Sequence, residues 1–288
     1  MPPKPPPKPS HLTSQSNSTT TTSSPASSKR GIGIPWDTTP ETLSLIFPTS
    51  TSHPPTIISW CFNWELWRPP LPSSDTHPIE WVPCIRTAAQ IPDLLPFLTD
   101  ISRTHKITHL LGFNEPEIPE QANLSPSDAA RLWRDQVLPA AKQLGLRVGS
   151  PGMCSDPARA LPWLDEWFGL LGGVEGSGVE FLVLHWYGMD LGGLKDWVGR
   201  VRERYGGLRV WVNEFACCSL GGEAVGEEEV ERFVRESTAW MDGEEGVERY
   251  AYFGMGQGGT VGRWVGEGSD FVKGDGVTKV GKGYLGLR

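Results

Sequence analysis

The fold is decided by residues 109–150, which read HLLGFNEPEIPEQANLSPSDAARLWRDQVLPAAKQLGLRVGS. Short apolar runs at 109–113 and 147–150 favour two buried strands. Between them, Ser125-Pro126-Ser127-Asp128 supplies a capping serine, a proline at the first helical position and an acid in the first turn. The helix that starts there is predicted to end at Leu144, before Gly145. A strand, a helix and a strand in this order predict parallel strands joined by a right-handed crossover.

The same alternation extends in both directions from this stretch. Candidate strands lie at 31–35, 56–62, 81–85, 109–113, 147–150, 181–186, 209–213 and 249–253, and candidate helices at 40–47, 88–104, 125–144, 194–205 and 230–240. Eight parallel strands in one domain of this length predict an α/β fold, a closed (β/α)₈ TIM barrel. The interval 64–80 has no helical period and is expected to be a long loop. An open doubly wound sheet is the structural alternative, but no GxGxxG follows the first strand.

The first thirty residues differ in composition from the rest of the chain. They are mostly Pro, Ser and Thr, and Leu12 is the only large aliphatic residue after Met1. Such a stretch buries too little apolar surface to offset its conformational entropy. We therefore predict a disordered tail at 1–30 and a single folded domain at 31–288.

Charge and hydropathy exclude several classes of partner. The whole chain has a net charge of −8. The tail has four basic groups and no acid, so it contributes +4, and the rest of the chain contributes −12. This acidic balance argues against nucleic acid as a partner. No run of about 20 apolar residues could span a membrane. The N-terminus also lacks the apolar stretch of a secretory signal, which leaves localisation open.

Cysteine and histidine patterns give no sign of a metal site or a cofactor. The five cysteines, Cys61, Cys84, Cys154, Cys217 and Cys218, are scattered without CxxC spacing. They are expected to be small buried hydrophobic residues, although one disulfide stays open. No His-x-His lies near a strand end, and the histidines are not expected to cluster with acids. A metal-dependent barrel hydrolase is therefore the weakest of the functional hypotheses.

Two glutamates carry the candidate chemistry. Glu115 follows the fourth predicted strand and Glu214 follows the seventh. Because catalytic groups of a (β/α)₈ barrel lie at the C-terminal ends of its strands, both side chains are expected at one rim. A carboxylic acid and a carboxylate suffice for glycoside hydrolysis, and their separation decides between retention and inversion. Partial burial beside a second carboxylate is expected to keep the acid protonated near neutral pH.

The sequence resembles glycoside hydrolase family 128, which comprises mostly fungal and bacterial β-1,3-glucanases. The matching stretches are 59–64 (SWCFNW), 112–116 (GFNEP), 184–188 (LHWYG), 213–217 (NEFAC) and 277–284. The family belongs to a clan of retaining barrel glycosidases with the acid/base on strand four and the nucleophile on strand seven. The resemblance covers about residues 31–287 and implies hydrolysis of β-1,3-glucan, such as laminarin or curdlan, by a monomer.

The resemblance also implies roles for individual residues. Glu115 would be the general acid/base and Glu214 the nucleophile. Asn114 would hydrogen-bond the sugar 2-hydroxyl, and Tyr187 would point its phenol at Glu214. The residues implied to line the cleft at the end of the second strand are Trp60, Asn63 and Trp64.

Other candidates keep more than one interpretation. Trp36 and Trp186 are either sugar platforms or core residues. His185 either assists catalysis, binds sugar or is a structural histidine. On the eighth strand, where many relatives have a tryptophan under the reacting sugar, this chain has Tyr252-Phe253, a smaller platform. The altered platform motivates the alternative hypothesis, a protein that binds β-1,3-glucan oligosaccharides with little turnover. Endo or exo cleavage, chain-length preference and biological role stay open.

Overall fold

Eight parallel strands form a barrel in the computed structural model, which describes residues 28–48, 56–71, 79–256 and 259–287. The strands are β1 (Arg30–Gly33), β2 (Trp60–Phe62), β3 (Glu80–Trp81), β4 (His109–Leu110), β5 (Arg147–Met153), β6 (Phe181–Tyr187), β7 (Val210–Ala216) and β8 (Val247–Tyr252). Their order in the sheet is β3-β2-β1-β8-β7-β6-β5-β4, so β1 lies beside β8, the last strand of the barrel. This order places the first barrel strand beside the eighth, as a closed barrel requires.

The two edges of this sheet also meet. Cys84, just after β3, forms a parallel bridge with Leu111, just after β4. The Ile85 amide donates to the Leu111 carbonyl (3.2 Å), and the Leu111 amide donates to the Pro83 carbonyl (3.0 Å). The prediction of a (β/α)₈ barrel is confirmed. The doubly wound alternative is wrong, because an open sheet would leave these edges apart.

Helices surround the barrel and connect its strands. They are α1 (Pro40–Ile46), α2 (Ile91–Ile101), α3 (Pro126–Leu132), α4 (Leu138–Leu144), α5 (Pro157–Leu170), α6 (Gly173–Ser177), α7 (Leu191–Arg204), α8 (Glu227–Gly243), α9 (Gly259–Val265) and α10 (Lys279–Leu285). Before α10, a short antiparallel pair joins β9 (Val272–Lys273) and β10 (Gly276–Val277). None of the helices in the described ranges is long and apolar enough to cross a membrane.

The crossover from β4 to β5 follows its sequence signals closely. The Ser125 hydroxyl accepts a hydrogen bond from the Asp128 amide, and Gly145 ends the helix in the left-handed conformation (φ 65°). A π-helical turn, Trp133–Val137, separates α3 from α4. Pro139 has no amide hydrogen for the carbonyl one turn before it, which accounts for the altered register at this point.

Two hydrophobic layers hold the barrel together. The barrel interior contains Trp60, Phe62, Val82, Cys84, Leu111, Phe181, Val183, Trp211 and Ala251. A second and larger layer fills the space between strands and helices. All five cysteines fall within the described ranges, where each is buried and free. Their expected role as small buried hydrophobic residues is confirmed, and no disulfide forms among them.

The predicted domain boundary is wrong by about three residues. Residues 1–27 of the expected tail lie outside the described residues, but 28–30 belong to the barrel. The Lys29 ammonium donates to the carbonyls of Met241 (3.0 Å) and Glu244 (2.8 Å). Arg30 begins β1 and pairs with Asp242. The composition of residues 28–30 does not reveal that they are folded, because they are held by pairing of β1 with β2 and β8, which lie far away in the sequence.

Several strand limits also differ from the prediction. β7 runs to Ala216 rather than 213, so Glu214 lies within the strand and not after it. β4 is only two residues long, and its pairing continues as isolated bridges at Leu111 and Asn114. In the interval 64–80, no helix forms in the parts described, 64–71 and 79–80, which agrees with the expected loop.

Candidate active site

Strict alternation along β6 builds one wall of the candidate site. Phe181 and Val183 point into the barrel core. His185 and Tyr187 continue the same inward face, because side chains of a strand repeat with a period of two. The strand therefore places His185 one level below Tyr187 at the C-terminal rim. Trp186, between them, faces the other way.

An irregularity in β7 brings Glu214 to the same wall. Trp211 points into the barrel core, whereas Phe215 packs outward against Phe233 of α8. The register with β8 shifts between Val212 and Phe215. An extra residue of this kind re-aims a side chain, and such irregularities are common next to active sites. Here it turns the Glu214 carboxylate inward, directly opposite His185 in the β6–β7 pairing.

Glu115 reaches the rim through a left-handed backbone conformation. Its φ is 43°, and outside glycine only Trp64 (φ 59°) and Asn123 (φ 47°) share positive φ in the described ranges. This conformation costs a non-glycine residue free energy and is concentrated at functional sites. The Glu115 amide is fixed by the carbonyl of Gly152 at 2.8 Å. The backbone after β4 is thus held so that the carboxylate enters the barrel mouth.

The two carboxylates meet around His185. One oxygen from each glutamate and one ring nitrogen of His185 all lie within 4.8 Å of one another. His185 Nδ1 lies 2.7 Å from Glu115 Oε1 and 3.8 Å from Glu214 Oε2. Gly152 leaves the space for this ring, since a Cβ there would lie 2.9 Å from His185 Nε2.

The environment of His185 favours its protonated form. The ring is fully buried, and burial by itself lowers its pKa. The charge of Glu214 and the hydrogen bond to Glu115 outweigh that effect and raise the pKa to about 9. A proton is therefore held between His185 and the Glu115 carboxylate at neutral pH.

The raised pKa of His185 predicts a pH-dependent stability. A pKa moved up from 6.5 to about 9 in the folded protein contributes stability that is fully present below pH 6.5 and lost as the pH rises through 9. The contribution is about 3 kcal/mol at most. Urea unfolding at pH 6 and pH 9.5 should therefore show a larger loss for the wild type than for His185→Gln, which cannot titrate. Equal losses in the two proteins would contradict the prediction.

Two donors hold the Glu214 carboxylate. The Tyr187 hydroxyl donates to Oε1, and the Trp64 indole N–H donates to Oε2 at 2.6 Å. Burial and the charge of Glu214 raise the pKa of Tyr187 well above its usual value, so the phenol keeps the proton it donates. Hydrogen bonds to both oxygens fix the orientation of this carboxylate.

Asn114 adjoins the acid/base candidate but is occupied by a neighbour. Its side-chain amide donates to Gln121 Oε1 at 3.3 Å, and the residue is buried. The Asn114 carbonyl accepts from the Ala122 amide at 3.1 Å, which closes the loop after β4. Gln121 orients the Asn114 amide at the rim.

Two aromatic candidates, Trp60 and Tyr252, do not line the cleft. Trp60 is fully buried at the opposite end of the barrel, where its indole N–H donates to the Lys29 carbonyl (3.1 Å). Tyr252 faces outward from β8 and stacks on Phe271. Its place near the site is taken by Phe253, whose ring lies 5.5 Å from that of Trp64.

Trp186 and Asn63 also have other roles than the ones expected. Trp186 faces α7, where a Cβ on Gly193 would lie 2.7 Å from its ring. The Asn63 side chain accepts from the Trp81 indole (3.1 Å) and donates to the Trp67 carbonyl (2.8 Å). Asn63 therefore supports the loop after β2 instead of presenting its amide to a ligand. Trp36 follows β1 at the rim and is exposed.

Glu117 is a residue that the sequence analysis missed. Its Oε1 accepts from the Cys154 amide at 2.7 Å, whereas its Oε2 is buried without a partner among the described residues. Burial raises the pKa of Glu117. The available signal was a second acid two positions after Glu115, in a loop already assigned to the rim. Glu117 ties this loop to the end of β5.

The expectation that no histidine clusters with acids is wrong for His185. Glu115, His185 and Glu214 offer three ligand atoms to one point. However, Glu214 already accepts hydrogen bonds on both oxygens, and the His185 nitrogen already shares a proton with Glu115. The donor set therefore fits proton transfer better than metal coordination.

A barrel with two close carboxylates at its C-terminal rim defines the class of barrel glycoside hydrolases. The chain belongs to the glycosyl hydrolase catalytic core family, whose model matches residues 40–284. The resemblance to glycoside hydrolase family 128 is confirmed.

Solved structures and a curated relative support this placement. A curdlan-specific exo-β-1,3-glucanase of family 128 from Blastomyces gilchristii, in complex with glucose, is 28% identical with a TM-score of 0.69, covering 90% of this chain and 98% of that one. An endo-β-1,3-glucanase of the family from Amycolatopsis mediterranei, in complex with laminaritriose, is 25% identical with a TM-score of 0.69, covering 90% and 99%. Alkali-sensitive linkage protein 1 of Schizosaccharomyces pombe is 26% identical over 232 residues, 79% of this chain but 40% of that protein. The chain thus spans less than half the length of this curated relative.

Proposed function

We propose that the protein hydrolyses β-1,3-glucan with retention, with Glu214 as nucleophile and Glu115 as general acid/base. The observation that carries the proposal is that one oxygen of Glu115 and one oxygen of Glu214 lie no more than 4.8 Å apart. Retaining glycosidases have carboxyl groups about 5–5.5 Å apart, whereas inverting enzymes need about 6.5–9.5 Å to admit a water molecule. The β-1,3-glucanase activities of the solved relatives support the choice of substrate.

The hydrogen bonds support different roles for the two glutamates. Glu214 receives donors on both oxygens, from Tyr187 and Trp64, which hold the carboxylate in one orientation, as a nucleophile requires. Glu115 instead faces the nitrogen of His185, which holds a proton at neutral pH. Glu115 can draw on that proton and donate it to the leaving oxygen.

The reaction then takes two steps. Glu214 attacks the anomeric carbon, the glycosidic bond breaks, and Glu115 gives its proton to the departing oxygen. Glu115, now a carboxylate, takes a proton from water, which attacks the same carbon and releases Glu214. Glu115 and His185 then share the proton taken from water, which returns the site to its starting charge.

The test of this function is product analysis on laminarihexaose. Shorter laminari-oligosaccharides that first appear as the β-anomer, followed by NMR, are expected. The α-anomer would refute retention, and release of no sugar would refute hydrolysis. Calorimetric binding of laminarihexaose without new reducing ends would establish the alternative, a binding protein.

A further inference from the structure

Exposed tryptophans are confined to one side of the barrel rim. All thirteen tryptophans lie in the described ranges, and three of them are exposed: Trp36 (74%), Trp67 (44%) and Trp264 (69%). They follow β1, β2 and β8 respectively, and these strands are adjacent in the order β2-β1-β8. We call these three residues the tryptophan arc.

The tryptophan arc is continuous with the candidate active site. Trp64 donates its indole N–H to Glu214, and its ring lies over the end of β1, where a Cβ on Gly33 would be 2.7 Å from Cη2. Trp36 lies three residues after Gly33, in the loop that follows β1. The end of β1, which Trp64 covers, therefore leads into the loop that carries Trp36.

Specific hydrogen bonds hold the arc in place. Asp37 Oδ2 accepts from both the amide and the hydroxyl of Thr260, each at 2.9 Å, which ties the loop after β1 to α9. Trp264 lies four residues after Thr260, on the same face of the helix. On the other side, the Asn63 side chain holds the Trp67 carbonyl at 2.8 Å. These contacts fix the backbone of all three tryptophans while their rings stay open to solvent.

We propose that the tryptophan arc binds a β-1,3-glucan chain beyond the sugar units held at Glu115 and Glu214, an inference that rests on the proposed function. Indole rings offer flat apolar surfaces that suit the C–H face of a sugar, whose hydroxyls stay hydrated. A row of such surfaces leading away from the cleavage point suits a long neutral chain. The arc thereby makes the protein selective for polymeric glucan over short oligosaccharides.

The experiment compares Trp36→Ala/Trp264→Ala with Leu220→Ala, which removes an equally exposed apolar side chain (80%) from the loop after β7. Depletion from solution by insoluble curdlan measures binding. The ratio of kcat/KM on curdlan to kcat/KM on laminaritriose measures selectivity. Both should fall at least about fivefold in the double variant and change little in Leu220→Ala.

The possible outcomes separate this inference from the proposed function. Unchanged curdlan binding in the double variant, or an equal loss in Leu220→Ala, would overturn the role of the arc. So would a wild-type dimer in size-exclusion chromatography that the double substitution dissociates without affecting curdlan binding. A wild type that binds curdlan through the arc but leaves laminarihexaose intact would refute hydrolysis and retain the arc.

Discussion

Glu214→Ala is expected to lower kcat on β-1,3-glucan by at least about 10⁴-fold. Without this carboxylate no glycosyl-enzyme can form, and His185, Tyr187 and Trp64 have nothing to orient. The loss is measured as the initial rate of reducing-end release from laminarin.

Azide provides a chemical test of the Glu214 role. The anion is small enough to enter the space left by the carboxylate and to attack the anomeric carbon from the same face. An activated aryl β-glucoside should then yield the α-glucosyl azide, with azide replacing the phenolate in one step. Glu223→Ala, which removes an exposed acid from the loop after β7, is the matched control and should keep the wild-type rate. A β-glucosyl azide from Glu214→Ala would show that another residue is the nucleophile.

Strand periodicity explains why much of the fold and part of the site followed from the sequence. β6 has no extra residue along the run FLVLHWY, so the side chains of His185 and Tyr187 share its inner face. Capping residues around 125–145 likewise determined the helix between β4 and β5. Both signals act between residues close in sequence, and the tertiary structure of the barrel does not override them.

The site predictions were wrong where a residue's position along the barrel axis, or the pairing between strands, decides which side chain reaches the site. Trp60 begins β2, and Trp64 lies two residues after its end, so both occupy even positions of the same stretch. Four residues at about 3.3 Å each nevertheless separate Trp60 at the floor of the barrel from Trp64 at its mouth. Parity alone could not tell which of the two reaches Glu214. The inward turn of Glu214 depends on the irregular pairing of β7 with β8, which no local pattern encodes. Tyr252 and Trp186 were assigned to the cleft by their position near strand ends, although alternation turns both outward.

Glu115→Ala is the second change with a large expected effect, and the effect should depend on the leaving group. On glucan, whose leaving alcohol needs a proton, kcat should fall about 10²–10⁴-fold. On a 2,4-dinitrophenyl β-glucoside the first step needs no proton, so the covalent intermediate should still form. Its hydrolysis should be slow, because water then lacks a general base. Mass spectrometry should accordingly find a glucosyl group on Glu214.

Azide again distinguishes this role from that of Glu214. In Glu115→Ala it needs no general base and attacks the intermediate from the side opposite Glu214, so the product should be the β-glucosyl azide and turnover should rise. The pH profile of kcat/KM on glucan should lose its basic limb, because the variant lacks the group that passes the His185 proton to the leaving oxygen. Glu120→Ala, an exposed acid in the same loop, should retain both the rate and the limb. Equal losses of activity on glucan and on the dinitrophenyl substrate, with no response to azide, would assign Glu115 a structural role. Glu115 would then not carry the His185 proton to the leaving oxygen.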